Sequence, residues 1–336
     1  MDEPLLTLII GTAVLVFLVA IFYPGKGLIY IWKVYLSTSL KEHLEDALKH
    51  IYDCEYNRTL CNLKSIAGQL NISTNKCSKI IEDLQERGLI VFNRDNIELT
   101  AEGRYYALKI VRVHRLWETY LADHTSFNEV EWHEEAEKRE HTTTPEQADE
   151  LAARIGNPLK DPHGDPIPSS DGNMPKREGT SITDVEVGKY ATITHLEDEP
   201  SDIYKQLIAM NLHVGQQVRV LESSDKSFRF EADGEIAVLA PLFAKNITVA
   251  QLPDNYKKRK SFKTLSDLKI GEEGEVIGIS EMCRGQQRRR LLDMGVVPGT
   301  KIRVELESVG GDPSGYNIRG AVIAIRKSNA AQIYIN

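Results

Sequence analysis

Residues 131–141 read EWHEEAEKREH. Taken as a helix, this run places His133, Glu137, Glu140 and His141 at i, i+4, i+7 and i+8. At about 100° per residue, all four fall within about 100° of one face. Two imidazoles and two carboxylates on one face can hold a divalent cation. The mixed nitrogen and oxygen set suits manganese or ferrous iron, whereas thiolates select softer ions. The plainer reading is a solvated acidic helix with incidental histidines. Upstream, VHRLWETYL puts His114 and Glu118 at i and i+4. Such a pair faces one way on a helix and, by itself, reads as a surface ion pair.

These residues need elements to position them. After the acidic helix, Thr144-Pro145-Glu146-Gln147 is a helix start, with Thr144 as N-cap, Pro145 at N1 and Gln147 closing a capping box. Leu151, Ala152 and Ile155 give that helix an apolar face ending at Gly156. Before the His114 helix, LKSIAGQL, the turn Asn71-Ile72-Ser73 and TNKCSKIIEDLQER predict two short helices. Two β-type runs follow around residues 93–96. Helix, turn, helix and hairpin is the order of a winged helix–turn–helix. The second helix of such a fold enters the major groove, which would aim Ser73, Thr74, Asn75, Lys76, Ser78 and Lys79 at base edges, with Arg94 of the wing at a phosphate. Residues 41–115 hold 12 Lys and Arg against 11 Asp and Glu, a net of +1. That footprint is weak for a nucleic-acid binder, so a protein-interaction module stays open. The net charge of the whole chain, −8, also argues against simple polyanion binding.

Residues 157–183 are rich in Pro, Gly, Ser and Asp, as a linker or irregular loop would be. Beyond them the chain repeats itself. QLIAMNLHVGQQVRVLE (206–222) matches RLLDMGVVPGTKIRVEL (290–306), each flanked by β-type runs. Two copies of such a unit predict two small β-barrels, since a solenoid needs at least about three repeats. Lys257, Lys258, Arg259 and Lys260 mark a boundary between them. Arg284 and Arg288, Arg289 and Arg290 form a basic run that would meet solvent, lipid headgroups or DNA. The four cysteines, Cys54, Cys61, Cys77 and Cys283, have no CxxC spacing and read as reduced thiols.

Residues 5–23, LLTLIIGTAVLVFLVAIFY, carry no charge. As a helix they would span roughly 28 Å, close to the hydrocarbon thickness of a bilayer. Asp2 and Glu3 precede the stretch, which disfavours a cleaved signal peptide; Lys26, Lys33 and Lys41 follow it. The basic flank predicts a single-pass anchor in the cytoplasmic membrane with the C-terminal domains in the cytoplasm.

Three runs in order, HRLWETYLAD, WHEEAEKREHTTT and NPLKDPHGDPIP, resemble the diphtheria-toxin-repressor and manganese-transport-regulator family over about residues 38–170. The VGQQVRV and PGTKIRV cores of the repeat resemble the FeoA family of SH3-like domains. The first resemblance implies a homodimer, a DNA operator as partner and a divalent transition metal, manganese or ferrous iron, as cofactor. Carried over by position, it implies a primary metal site of Asp46, Glu137, Glu140 and His141. It implies a second site of His114, His133 and Glu118. A further first-helix carboxylate of manganese-type members falls at Lys49 here. In iron-type relatives the barrel adds ligands; the matching part here is acidic, with Glu197, Asp198, Glu199 and Asp202.

The resulting fold class is multi-domain α+β: one N-terminal transmembrane helix, a winged helix–turn–helix, a helical dimerisation domain and two SH3-like, FeoA-like β-barrels. The domains fall at 1–37, 38–110, 111–170, a linker at 171–183, 184–256 and 257–336. No nucleophile motif, HExxH or P-loop is present, so an enzyme is not expected. The function implied is a metal-responsive, membrane-tethered regulator of transcription. A second function is a regulatory subunit of a metal transporter, because residues 22–52 resemble the join between a manganese- or zinc-type permease and a winged-helix tail. A transporter permease is then a further partner.

Overall fold

The computed structural model describes residues 11–12, 28–94, 96–232, 234–253, 263–280 and 283–336, with side chains of the first long helix described from residue 39. It divides into two units, residues 1–111 with 170–173, and residues 112–169 with 174–336.

The first unit opens with α1 (Leu28–Tyr56), whose Leu44, Ala47, Leu48 and Ile51 are buried. Asn62 caps α2 (Leu63–Gln69), accepting from the amides of Lys64 and Ser65 while Ser65 reaches back to the Asn62 amide. Ser73 caps α3 (Thr74–Glu86), which turns Cys77, Ile80, Ile81 and Leu84 inward. Apolar positions spaced three and four apart give α3 one buried stripe and leave its polar face to solvent. Strands β1 (Ile90–Asn93) and β2 (Asn96–Leu99) pair antiparallel in the register Ile90 to Leu99. Helix α4 (Ala101–His124) then begins, and the chain passes along it into the second unit.

In the second unit α4 continues into α5 (Trp132–Glu140) and α6 (Pro145–Arg154). One small core joins Val113 and Leu116 of α4 to Ala148, Leu151 and Ala152 of α6 and to Ile167; a second joins Leu121 and Ala122 to Trp132 and Ala136. The apolar face of α6 is therefore used within the chain. Thr144 accepts from the Gln147 amide at 3.3 Å, and the Gln147 side chain accepts from the Thr144 amide at 2.9 Å. Losing such a cap costs about 1 kcal/mol. Thr144→Ala should lower the unfolding free energy of this unit by that amount, read as a lower urea midpoint at unchanged slope, and an unmoved midpoint would show the cap to be redundant.

The rest is two antiparallel sheets of one topology. The first contains β3 (Thr180–Ser181), β4 (Tyr190–Leu196), β5 (Gln217–Ser223), β6 (Phe228–Ala232), β7 (Glu235–Leu239) and β8 (Ile247–Gln251), ordered β3-β8-β4-β5-β6-β7. Helix α7 (Ser201–Ala209) follows β4, and α8 (Pro241–Ala244) precedes β8. The second sheet contains β9 (Lys263–Thr264), β10 (Glu273–Ile279), β11 (Lys301–Glu307), β12 (Ser314–Ile318), β13 (Ala321–Ile325) and β14 (Ile333–Ile335), ordered β9-β14-β10-β11-β12-β13. Its helices are α9 (Gly285–Asp293) and α10 (Lys327–Ala330). Even the register breaks correspond: Val220/Glu222 in one copy, Val304/Leu306 in the other. Each sheet curls over its own core, with Ile193, Phe228 and Phe230 in the first and Val276, Ile302 and Ile318 in the second. The basic run divides. Arg288 donates to the carbonyl of Ser280 at 3.1 Å, Arg284 faces Asp123 at 3.8 Å, and Arg289 and Arg290 are exposed.

One expectation is corrected. Among the described residues no helix is long and apolar enough to cross a membrane. The stretch expected to span, residues 5–23, lies outside the described residues apart from residues 11–12, as do the basic residues 257–260. The first long helix that is described, α1, carries Lys41, Glu42, Glu45, Asp46, Lys49, Asp53 and Glu55, a charge density the hydrocarbon region rejects. The transmembrane helix in the fold class, and with it the single-pass placement in the cytoplasmic membrane, are withdrawn.

Candidate metal centre

Helices α4 and α5 bring six of the sequence-predicted ligands into one neighbourhood of the second unit. His114 and Glu118 stand one turn apart on α4, and their atoms Nε2 and Oε1 are 3.0 Å apart. His133, from the first turn of α5, places Nδ1 3.2 Å from each of those two atoms. The three donor atoms form a near-equilateral triangle. With metal–ligand bonds of about 2.1–2.2 Å, ligands at right angles about an ion lie about 3.0–3.1 Å apart. The triangle fits one face of such a polyhedron. His114 and Glu118 are buried.

The surroundings supply further oxygen. On its other nitrogen, His133 faces Glu137 at 3.4 Å and Glu199 at 3.0 Å, while its Nδ1 also lies 3.3 Å from Asp198. Asp198 and Glu199 come from the corner between β4 and α7. Asp202, on α7, has a 91% exposed side chain and points away. His163 sits in the irregular loop after α6, with Nδ1 3.7 Å from Glu118 and 3.8 Å from Asp198. These distances exceed a hydrogen bond. Nδ1 of this fully buried ring has no hydrogen-bond partner among the described residues, the situation of a donor atom awaiting an ion. His163, Asp198 and Glu118 thus form a second group continuous with the first.

Glu140 binds the far side of His114, with Oε2 against Nδ1. A carboxylate on the remote nitrogen fixes the ring and leaves Nε2 for a ligand. Its other oxygen, Oε1, lies 3.7 Å from Nε2 of His141, the residue that ends α5. Asp46 is carried by α1 in the first unit, and its grouping with Glu137, Glu140 and His141 rests on the sequence resemblance. In that same unit Ser73, Thr74, Asn75, Lys76 and Lys79 are exposed at the start of α3, Ser78 is half-buried, and Arg94 is exposed at the hairpin tip.

The charge balance shows what this cluster lacks. Burial would raise the Glu118 carboxyl, but the charges of His114 and His163 hold it well below the usual range. Burial would lower the imidazoles. Instead, hydrogen bonds to Asp198, Glu118, Glu137 and Glu199 raise His133, and the charges of Asp198 and Glu118 push His163 up to about 10. Without other cations, protons on histidine balance the carboxylates. A divalent ion would replace those protons, so uptake releases protons and weakens in acid. The sign for the metal-free protein follows. The contribution of His163 is complete below its ordinary value of 6.5 and is lost as pH rises through about 10. Urea midpoints of metal-free protein should fall across that window; a rise would contradict the assignment.

His163 was missed from sequence because it lies on no helix face. Its signals were a His between Asp161 and Asp165 in a Pro/Gly-rich loop and its place in the NPLKDPHGDPIP run, neither of which marks a ligand.

Residues 100–169 match the model of the iron dependent repressor metal binding and dimerisation domain, and residues 180–251 and 263–336 each match the FeoA domain. The diphtheria toxin repressor of Corynebacterium diphtheriae is 26% identical over 231 residues, 63% of this chain and 99% of that protein. A probable metal transport system membrane protein of Chlamydia trachomatis is 40% identical over 85 residues, 25% of this chain and only 19% of that protein. The solved structure of a manganese-dependent transcriptional repressor in complex with manganese superposes with a TM-score of 0.56 at 28% identity, covering 61% of this chain and all of that one. The repressors are regulators, not enzymes, in agreement with the sequence reading. With a repressor-type metal-binding and dimerisation domain followed by two FeoA domains, the chain is a relative of the iron- and manganese-dependent repressors.

Proposed function

We propose that this protein is a metal-ion-responsive regulator of transcription that takes manganese or ferrous iron at the His114–Glu118–His133 centre and binds an operator as a homodimer through α3. The observation that carries the reading is the buried triangle of His114 Nε2, Glu118 Oε1 and His133 Nδ1 with edges of 3.0 to 3.2 Å. A donor set of imidazole and carboxylate without thiolate favours the harder divalent ions. When bound, the ion supplies positive charge and directional bonds that neutralise the crowded carboxylates.

The residues do the rest. Glu118 and Asp198 hold His133 and face His163 across a wider gap, so the centre ties α4 and α5 to the first FeoA domain. Glu140 orients His114. Asp46 is kept as a candidate ligand on resemblance alone. The exposed polar start of α3 and Arg94 offer the base-edge and phosphate contacts, and the modest net charge of the winged part makes DNA retention dependent on a second, metal-coupled contribution. By linkage, any gain in DNA affinity on metal binding is matched by tighter metal binding on DNA. Pairing of two chains rests on the dimerisation-domain match.

The test is a gel shift of the protein on its own upstream DNA with and without manganese, alongside equilibrium dialysis. Metal-dependent retention is expected; equal retention in both conditions would defeat the reading. The transporter-subunit reading is not carried forward. The relative covered along nearly its whole length is a repressor, and the transport-system protein is matched over only a fifth of its own.

A further inference from the structure

A cluster apart from this centre lies in the winged-helix unit. His50 and Cys54 occupy successive turns at the end of α1, and Cys54 Sγ is 3.6 Å from His50 Nε2. Cys61 stands just before the Asn62 cap of α2. One donor atom from each of the three residues lies within 4.8 Å of the others. Cys61 is held from two sides. Its amide donates to Asn96 Oδ1 at 2.8 Å, and its carbonyl accepts from the Ile97 amide at 2.9 Å. The cluster therefore joins the end of α1, the entrance to the helix–turn–helix and strand β2 of the wing.

Buried cysteines often act as small apolar residues. Cys77 does so, its Sγ lying 3.6 Å from the Leu63 carbonyl amid the α3 stripe. Cys54 and Cys61 differ because an imidazole nitrogen stands against them, itself 3.3 Å from Ser65 Oγ. Bonds of about 2.3 Å to sulfur and 2.0–2.1 Å to nitrogen, at a tetrahedral angle, put those atoms about 3.6 Å apart. That is the separation found between Cys54 Sγ and His50 Nε2.

We propose that His50, Cys54 and Cys61 form a thiolate–imidazole site for a zinc-class ion, distinct from the nitrogen–oxygen centre of the second unit. Two thiolates and one imidazole select a borderline or soft cation, leaving the fourth tetrahedral position to water. The way in is open: Cys61 lines a surface cleft with Glu55, Arg58, Leu60 and Arg104. Burial, with the neighbouring Cys54 thiol, pushes the Cys61 thiol up to about 12. An ion must displace the Cys61 proton, so binding there strengthens as pH rises. The site clamps the end of α1 to the helix–turn–helix, a structural role independent of the sensing role proposed above.

Cobalt, added alone to the full-length reduced protein, is the probe. Wild type should develop a thiolate-to-cobalt charge-transfer band in the near ultraviolet, and zinc should abolish it. Cys54→Ser and Cys61→Ser should each lose the band. Cys283→Ser and Glu118→Gln should keep it, which separates this site from the other centre. No band in wild type, or a band that survives in both serine variants, overturns the proposal. If the serine variants fail to fold, zinc protection of the wild-type thiols against alkylation decides: protection of Cys54 and Cys61 supports the site, and labelling at unchanged rates overturns it.

Discussion

Glu118→Gln should weaken manganese binding by at least about a hundredfold and abolish metal-dependent retention of DNA. Loss of a residue that merely orients a ligand already costs 10- to 100-fold in affinity, roughly, and Glu118 is placed as a ligand itself. Its side chain is 2% exposed, with Oε1 3.0 Å from His114 and 3.2 Å from His133, and Oε2 3.7 Å from His163. Glutamine preserves the shape but removes the charge that balances three imidazoles. The substitution therefore tests electrostatics more than packing. Circular dichroism should show a retained fold while equilibrium dialysis shows the lost ion. A wild-type manganese isotherm in the variant would remove Glu118 from the centre.

Gly164→Ala should destabilise the second unit and weaken the metal centre together. Gly164 sits at φ +96°, and a Cβ built there would lie 2.1 Å from the Thr194 carbonyl oxygen and 3.0 Å from the His195 Cα. Both obstacles are backbone, so neither can rotate away. The turn is also pinned. Asp161 Oδ1 accepts from the amides of His163 and Asp165 at 2.9 Å, and the His163 carbonyl accepts from Leu196 at 3.0 Å. Left-handed strain and the forced withdrawal from β4 together cost about 3 kcal/mol. Relief by moving the turn carries His163 away from Glu118 and Asp198. The variant should show a lowered urea midpoint and a weaker manganese isotherm. A wild-type midpoint would mean that the loop yields freely and that its glycine is incidental.

The sequence exposed whatever repeats or keeps a period. The match of 206–222 with 290–306 becomes α7 with β5 and α9 with β11, because a short helix feeding a strand keeps its apolar spacing through duplication. The paired breaks at Val220/Glu222 and Val304/Leu306 were not visible, since a bulge is a change of backbone register that no residue type marks here. Within the centre, His114 with Glu118 and His133 with Glu137 could be read from helical spacing alone. His163 could not, and Asp198 and Glu199 stood out only through the family resemblance, as acidic residues of the first barrel. They arrive from a loop and from another domain, and only tertiary structure brings them to the helices. The apolar face of α6 was legible as a face, but its use against α4 within the chain was not. The N-terminal hydropathy run was the reverse case: composition alone suggested an anchor, and no described helix supports one.

Glu140 is held by His114 through one carboxylate oxygen and faces His141 through the other. A single planar group thus stands between two imidazoles, and electron density drawn toward one end is withdrawn from its opposite. Occupancy beside His114 and events at His141 are therefore not additive. A substitution at His141 is therefore expected to change the basicity of His114 and, through it, the manganese affinity read by equilibrium dialysis.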